Sequence, residues 1–197
     1  MIFNALMKIG LYFGSFNPVH IGHLIIANYV LNETDLDKIW FVVSPQNPFK
    51  KNKSLLNEYD RLHLIRTAIE DDTRMKASDI EFYLPKPSYT INTLTYLKEK
   101  YPEQDFYLIM GSDSFQNIDK WKNYEMIINN YKLYVYQRKG FDLKNNNNSE
   151  TIKLLDAPLL EISATNIRQL VKQGKSIRYM VPEKIREEIE GNLFFKR

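Results

Sequence analysis

The sequence has no cysteine, only seven glycines and three histidines, and no apolar run near the ~20 residues that a membrane-spanning helix needs. Without cysteine, disulfide bonds and thiolate metal sites are excluded, which fits a reducing compartment. The N-terminus carries an early lysine, but no small-residue cleavage site follows its apolar residues. We therefore expect a soluble, cytoplasmic protein without a secretory leader.

What the chain does contain is enough apolar material for a core, since 44% of its 197 residues are hydrophobic. This length predicts one domain, 1–197, with a small helical part at about 163–197. The formal net charge of +3 suits anionic small molecules and is too weak to indicate nucleic acid binding. We expect partners that are small molecules, with no nucleic acid and no membrane.

Short apolar runs alternate with amphipathic segments along the whole chain, and this pattern predicts an α/β fold. Specifically, we predict a Rossmann-like doubly wound parallel sheet with helices on both faces. Ligands bind such sheets beyond the carboxyl ends of the strands. The predicted strands are 6–13, 37–43, 75–82, 105–110, 131–137 and one or two within 151–162; the predicted helices are 20–32, 57–70, 89–100, 163–173 and 182–190.

The first predicted strand runs through Gly14, Ser15 and Phe16 into a helix that starts near His20. A strand that turns through a glycine into a helix directs backbone N–H groups and the positive end of the helix dipole at one point. Phosphate binds readily at such a point. This turn is therefore a candidate anion site.

His20 and His23 are three residues apart at the start of that helix, so both side chains can face the same turn of backbone. They can be ordinary polar residues at a helix N-terminus. Zinc is a second reading, but it requires a third protein ligand, and none stands at a recognisable spacing. The third reading is that both histidines act on a bound anion.

A second candidate anion site lies in the segment 162–168. Ser163 is placed as the N-cap of a helix, whatever else it does. Thr165 and Arg168 would share one face of that helix, near its free N–H groups. A guanidinium there suits bidentate contact with phosphate, although capped helices that carry an arginine are common.

Other residues have both a structural and a functional reading. Asp113, after an apolar strand, is either part of a turn or a ligand of a ribose diol. Trp121 is either core or a platform for a ring. Lys50, Lys51 and Lys53 are either a solvated loop or a cationic arm over an anionic substrate, and His63 reads as an ordinary helix residue.

Together these segments resemble the nucleotidyltransferase superfamily. Its two signatures, H-x-G-H at a helix start and I-S-x-T-x-x-R near the C-terminus, match 20–23 and 162–168. Within the superfamily, the chain is similar over nearly its whole length to the bacterial nicotinate-nucleotide adenylyltransferases, with further markers at 87–94, 111–113 and 174–182. Three residues depart from the pattern. Phe13 stands where the family often has the first glycine of a pair, Ala164 replaces a common serine, and Asn17 replaces a common aspartate.

The resemblance implies transfer of AMP from ATP to nicotinate mononucleotide, with Mg²⁺ carried by the ATP phosphates and no protein metal site. It leaves open whether the chain is a monomer or a homo-oligomer. The roles that it implies are catalysis by His20, His23 and Arg168; ATP binding by Gly14, Ser15, Phe16, His20, His23, Asp113, Ser163, Thr165 and Arg168; and acceptor binding by Lys50, Tyr89, Thr90 and Trp121.

Two other functions stay open on the sequence alone. One is a different adenylyl- or cytidylyltransferase, such as the pantetheine-phosphate enzyme. The other is a nucleotide-binding sensor that kept the fold without catalysis, which the presence of both histidines and Arg168 disfavours.

Overall fold

Six strands form a single parallel sheet in the order β3-β2-β1-β4-β5-β6, which confirms the predicted α/β, Rossmann-like architecture. The computed structural model describes residues 6–48, 55–141 and 150–196. The strands are β1 (Met7–Gly14), β2 (Lys38–Val43), β3 (Met75–Ser78), β4 (Gln104–Gly111), β5 (Lys132–Tyr136) and β6 (Ile152–Leu155).

The central strands are nearly continuous apolar runs, because a parallel sheet with helices on both faces buries both sides of each strand. In β2, every residue from Ile39 to Val43 is buried. Leu11 of β1 pairs with Trp40 on one side and Leu108 on the other, so β1 lies at the middle of the sheet. The chain order reverses between β1 and β4, and ligands bind doubly wound sheets at such a reversal.

Alternate strand residues face two separate apolar clusters, one on each face of the sheet. The helices are α1 (Ile21–Glu33), α2 (Glu58–Ala68), α3 (Thr90–Lys100), the single-turn α4 (Ser112–Phe115), α5 (Tyr124–Asn130), α6 (Ala164–Lys172) and α7 (Glu183–Gly191). Phe41 belongs to a cluster with residues of α1, α2, α6 and α7, whereas Trp40 belongs to a cluster with residues of α3 and α5. The sheet is therefore doubly wound, as predicted.

The predicted strand 75–82 is wrong in its second half. β3 ends at Ser78, and Ile80–Tyr83 form a 3₁₀ helix, in which the Phe82 N–H donates to the Asp79 carbonyl oxygen at 2.9 Å. Ile80 and Glu81 are both buried, as consecutive strand residues of this doubly covered sheet also are, so burial alone does not distinguish the two structures. This turn brings Glu81 into the site described below.

In the described parts of the chain, none of the helices combines the length and apolar character needed to cross a bilayer.

Candidate active site

A cavity of about 840 Å³ opens at the carboxyl ends of the central strands, beside the point where the strand order reverses. Lys50, together with Lys51 and Lys53, lies outside the described residues. All the other residues predicted for the site line this cavity: Gly14, Ser15, Phe16, His20, His23, Tyr89, Thr90, Asp113, Trp121, Ser163, Thr165 and Arg168.

The turn after β1 is held by the ring of Phe16. A Cβ on Gly14 would lie 2.9 Å from Phe16 Cζ, so a larger residue would displace this ring. Phe16 itself has a φ of +44°, in the left-handed region that non-glycine residues rarely adopt. Its ring packs edge-on against His23, with ring centres 5.0 Å apart. Because Phe16 is buried, packing fixes the turn in a strained conformation beneath the histidines.

His20 and His23 stack at the start of α1, with ring centres 3.7 Å apart. The backbone N–H of His20 donates to His23 Nδ1 at 3.3 Å, so a neutral His23 carries its proton on Nε2. Burial and the nearby charge of Arg138 lower the pKa of His20 to about 4. His20 is therefore neutral at pH 7, and it acts as a hydrogen-bonding group there without a formal charge.

Gly22 makes room for the His20 ring. A Cβ at this position would lie 3.0 Å from His20 Nδ1 and 3.1 Å from Cε1. The glycine of the H-x-G-H segment therefore leaves space for the ring two residues before it, and a Cβ there would force that ring to shift by a few tenths of an ångström.

The segment 162–168 lies against the turn after β1, although the two are far apart in sequence. Ser163 caps α6 as predicted, because its Oγ accepts from the N–H of Asn166 at 3.2 Å. Arg168 Nη1 donates to the Asn17 carbonyl oxygen at 2.7 Å, and Nη2 donates to Thr165 Oγ1 at 3.2 Å. Partial burial lowers the pKa of Arg168 from its ordinary value of 12.5, and the guanidinium stays charged at neutral pH.

Arg138 is a site residue that the sequence did not reveal. It follows β5, lines the cavity, and places Nη1 3.6 Å from Asp113 Oδ2. Its N–H donates to Ser112 Oγ at 2.9 Å, which ties the ends of β4 and β5 together. The only available signal was a cation directly after a predicted strand. Asp113 Oδ1 is buried and has no hydrogen-bond partner among the described residues, whereas Oδ2 faces Arg138.

On the other side of the cavity lies the start of α3, which we call the acceptor segment, residues 88–90. The N–H of Ser88 donates to the Gln46 carbonyl oxygen at 3.0 Å, which joins this segment to the loop after β2. Lys122 Nζ lies 4.8 Å from the centre of the Tyr89 ring. Trp121 is partly buried against the apolar cluster around α3 and also lines the cavity, so its role as a platform for a ring stays a prediction.

Arg61, which was also not identified from the sequence, anchors the loops next to the cavity. It is completely buried, and its Nη1 donates to the carbonyl oxygens of Ser15 at 2.7 Å and Ser44 at 2.9 Å. Its Nε donates to the Leu56 carbonyl oxygen at 3.0 Å. Burial lowers the pKa of Arg61 to about 10, so the side chain is still charged at pH 7. One guanidinium thus fixes the loops that follow β1 and β2.

The sequence and the fold were compared with known proteins. The cytidylyltransferase-like family model matches residues 11–170. A protein of Cytophaga hutchinsonii named "Probable nicotinate-nucleotide adenylyltransferase" is 54% identical over 96% of this chain and 98% of its own length. A Flavobacterium psychrophilum protein of the same name is 50% identical over 97% of this chain and 100% of its own length.

Among solved structures, the fold is similar to the nicotinic acid mononucleotide adenylyltransferase of Plasmodium falciparum complexed with NaAD, with a TM-score of 0.82. That match covers 96% of this chain and 97% of the other at 20% identity, so it supports the fold alone. The family model and the two bacterial relatives decide the family. The chain belongs to the cytidylyltransferase-like nucleotidyltransferases, in the group of the nicotinate-nucleotide adenylyltransferases.

Proposed function

We propose that this enzyme transfers AMP from ATP to nicotinate mononucleotide, forming nicotinate adenine dinucleotide and pyrophosphate. The observation that carries the proposal is the convergence of three segments on one cavity. The turn after β1, the start of α6 and the acceptor segment all line it. The names of the bacterial relatives at 50–54% identity support this choice of acceptor.

In this proposal, ATP lies between the starts of α1 and α6. His20 and His23 contact its phosphates from one side, and Ser163, Thr165 and Arg168 hold the triphosphate from the other side. The N-terminus of α6 directs its first N–H groups and the positive end of its dipole at this region, which favours an anion there. At the start of α1, the N–H groups of Ile21 and His23 already donate to the carbonyl oxygens of Met180 and His20, so the imidazole rings carry the contact.

The remaining predicted residues divide between the two substrates. The backbone of Gly14, Ser15 and Phe16 approaches the phosphates at the turn after β1. Asp113 binds the ribose of adenosine, because its side chain lines the cavity and a carboxylate accepts hydrogen bonds from a ribose diol.

The acceptor lies against Tyr89 and Thr90, with Trp121 stacked on the pyridine ring and Lys50 near a phosphate. The first N–H groups of α3 lack helical partners and suit the carboxylate of nicotinate. Nicotinate mononucleotide should therefore be a better acceptor than nicotinamide mononucleotide, whose neutral amide gains less from these donors.

The reaction is an in-line displacement at the α-phosphorus of ATP. A phosphate oxygen of the acceptor forms the new P–O bond, while the bond to the bridging oxygen breaks and pyrophosphate leaves with the electron pair. The acceptor phosphate is already ionised at neutral pH, so no general base is needed. Catalysis then depends on positioning and on stabilising the charge that develops on the phosphates.

Mg²⁺ is assigned to the ATP phosphates in this proposal. In the described ranges 6–48, 55–141 and 150–196, no group of three or more His, Cys, Asp or Glu side chains is arranged to hold a metal ion. Mg²⁺ prefers oxygen ligands and keeps several waters, so an ion that enters with the triphosphate fits this donor set. Such an ion neutralises part of the phosphate charge.

We also propose that residues 1–197 form one cytoplasmic nucleotidyltransferase domain, with 163–197 as its small helical part. Two contacts support this arrangement. Arg168 of α6 bonds to the turn after β1, and His63 of α2 lies 3.4 Å from Glu188 of α7. Ile185 and Ile189 of α7 are fully buried in the same apolar cluster as α1 and α2.

The test is pyrophosphate release from Mg-ATP with a panel of acceptors: nicotinate mononucleotide, nicotinamide mononucleotide and pantetheine phosphate. We expect the highest kcat/KM with nicotinate mononucleotide. Equal values for the acid and the amide would refute the acceptor preference. Faster turnover of pantetheine phosphate, or of CTP in place of ATP, would indicate a different nucleotidyltransferase, and ATP binding without turnover of any acceptor would indicate a sensor.

A further inference from the structure

Glu81 has a buried carboxyl in the wall of the cavity, and the proposed reaction assigns no role to this group. Its exposed fraction is only 2%, yet it lines the cavity next to the acceptor segment. Among the residues that the structure describes, no cation pairs with this carboxyl, and a buried carboxyl without such a partner is costly, so it calls for a physical explanation.

One oxygen of this carboxyl joins two elements that enclose the acceptor segment. Glu81 Oε1 accepts from Thr93 Oγ1 at 2.8 Å, and Thr93 is 1% exposed. The Thr93 hydroxyl also lies 3.5 Å from the Tyr89 carbonyl oxygen. This hydrogen bond links the 3₁₀ helix to the first turn of α3. Residues 88–90 lie in the chain between the two linked residues.

The other oxygen of the Glu81 carboxyl is buried, as is the hydroxyl of the serine in the acceptor segment. Glu81 Oε2 and Ser88 Oγ are both buried, and neither has a hydrogen-bond partner among the residues that the structure describes. The hydroxyls of Ser44 and Ser88 lie near enough to favour the ionised carboxyl, but burial outweighs them and raises the pKa of Glu81 above its ordinary value. A protonated carboxyl can donate to Ser88 Oγ from Oε2 while it still accepts from Thr93 at Oε1.

We propose that Glu81 is a positioning residue that sets acceptor specificity: its carboxyl holds Thr93 and Ser88 so that the first N–H groups of α3 face the carboxylate of the acceptor. This role rests on the proposed function, because it assigns the carboxylate of the acceptor to the acceptor segment. Glu81 itself does not touch the reacting atoms. Loss of the Glu81 carboxyl leaves ATP binding unchanged and reduces the preference for the acid over the amide acceptor.

The experiment compares Glu81→Ala, Glu81→Gln and Thr93→Val with wild type, using Mg-ATP and the two pyridine mononucleotides. Glutamine accepts from Thr93 with its oxygen and donates to Ser88 with its NH₂ group, as a protonated Glu81 would. Thr95→Val is the matched control, because the Thr95 hydroxyl on the same helix donates only to the Ile91 carbonyl oxygen within its own turn at 3.0 Å.

We expect Glu81→Ala and Thr93→Val to raise the KM for nicotinate mononucleotide and to reduce the preference for acid over amide by about tenfold each, the effect of one well-placed hydrogen bond. The KM for ATP should stay within about twofold, and Glu81→Gln and Thr95→Val should keep the wild-type preference. A loss of kcat/KM in equal proportion for both acceptors, even with a lower Tm, would overturn the role of Glu81. Absence of AMP transfer by the wild-type protein would instead refute the proposed function.

Discussion

The guanidinium of Arg168 donates to the carbonyl oxygen of Asn17 at 2.7 Å, across 151 residues of sequence. This bond joins α6 to the turn after β1, so the two segments predicted to hold phosphate are in direct contact. The second arm of the guanidinium reaches Thr165 Oγ1, which orients the side chain along α6.

Arg168→Lys should lower kcat/KM for the complete reaction by on the order of 10²-fold. Lysine keeps the charge, but it cannot bond to Asn17 and Thr165 together or present a planar fork to a phosphate. Steady-state kinetics with Mg-ATP measure the loss. Lys172→Ala, which removes a positive charge from an exposed position of the same helix, is the control and should stay near wild type. Near-wild-type kinetics for Arg168→Lys would show that only the positive charge of Arg168 is needed.

Gly22→Ala should damage catalysis more than stability. The added methyl group would lie 3.0 Å from His20 Nδ1, so it pushes the ring out of its stacked position against His23. We expect His20→Ala to lower kcat by roughly 10²–10³ with a smaller change in ATP affinity, as for the loss of one transition-state donor. Gly22→Ala should reproduce much of this loss in kcat. Gly191→Ala, where nothing lies within 4 Å of the new Cβ, should change neither kcat nor Tm. A fully active Gly22→Ala enzyme would contradict the assigned role of the ring.

Buried His20 should make the folded state less stable in mild acid. Its pKa is about 4 in the folded protein, against 6.5 when exposed, so between these values the unfolded chain binds more protons. The contribution of His20 to the free energy of unfolding is fully present above pH 6.5. It decreases by up to about 3 kcal/mol as the pH falls towards 4. Urea unfolding at several pH values measures this, and His20→Asn, which keeps a good N-cap residue, should flatten the wild-type slope. An unchanged slope in His20→Asn, or an NMR titration of His20 with a midpoint near 6.5, would contradict this prediction.

Arg61→Met should destabilise the protein by about 3 kcal/mol, because one buried and two part-buried carbonyl oxygens lose their donor and two loops lose their common anchor. The free energy of unfolding from urea titration measures this loss. The exposed Arg66 on the same helix provides the control, and Arg66→Met should stay within about 0.5 kcal/mol of wild type. Equal effects at the two positions would show that the carbonyl contacts of Arg61 contribute little to stability.

The sequence predicts the sheet well because each central strand is buried on both faces and therefore reads as an apolar run. The cap at Ser163 and the turn at Gly14 were also predictable, since both depend on local chemistry. Arg61 was not, because its partners Ser15 and Ser44 are 46 and 17 residues away, and an arginine in an amphipathic helix normally lies at the surface.

Glu81 and Arg138 were missed for related reasons. Glu81 fell inside a predicted strand, and only the 3₁₀ helix places it in the cavity wall. Arg138 enters the site because β5 lies next to β4, a strand order that the apolar pattern alone does not determine. Long-range pairing thus controls the part of the site that the sequence did not reveal.

Transfer of radioactive label from ATP tests the central claim most directly. With ATP labelled at the α-phosphorus and nicotinate mononucleotide as acceptor, we predict that the label enters the dinucleotide product, while label at the γ-phosphorus is released as pyrophosphate. Label from the γ-phosphorus in the acceptor product, or no labelled dinucleotide under conditions where ATP binds, would contradict adenylyl transfer at this cavity.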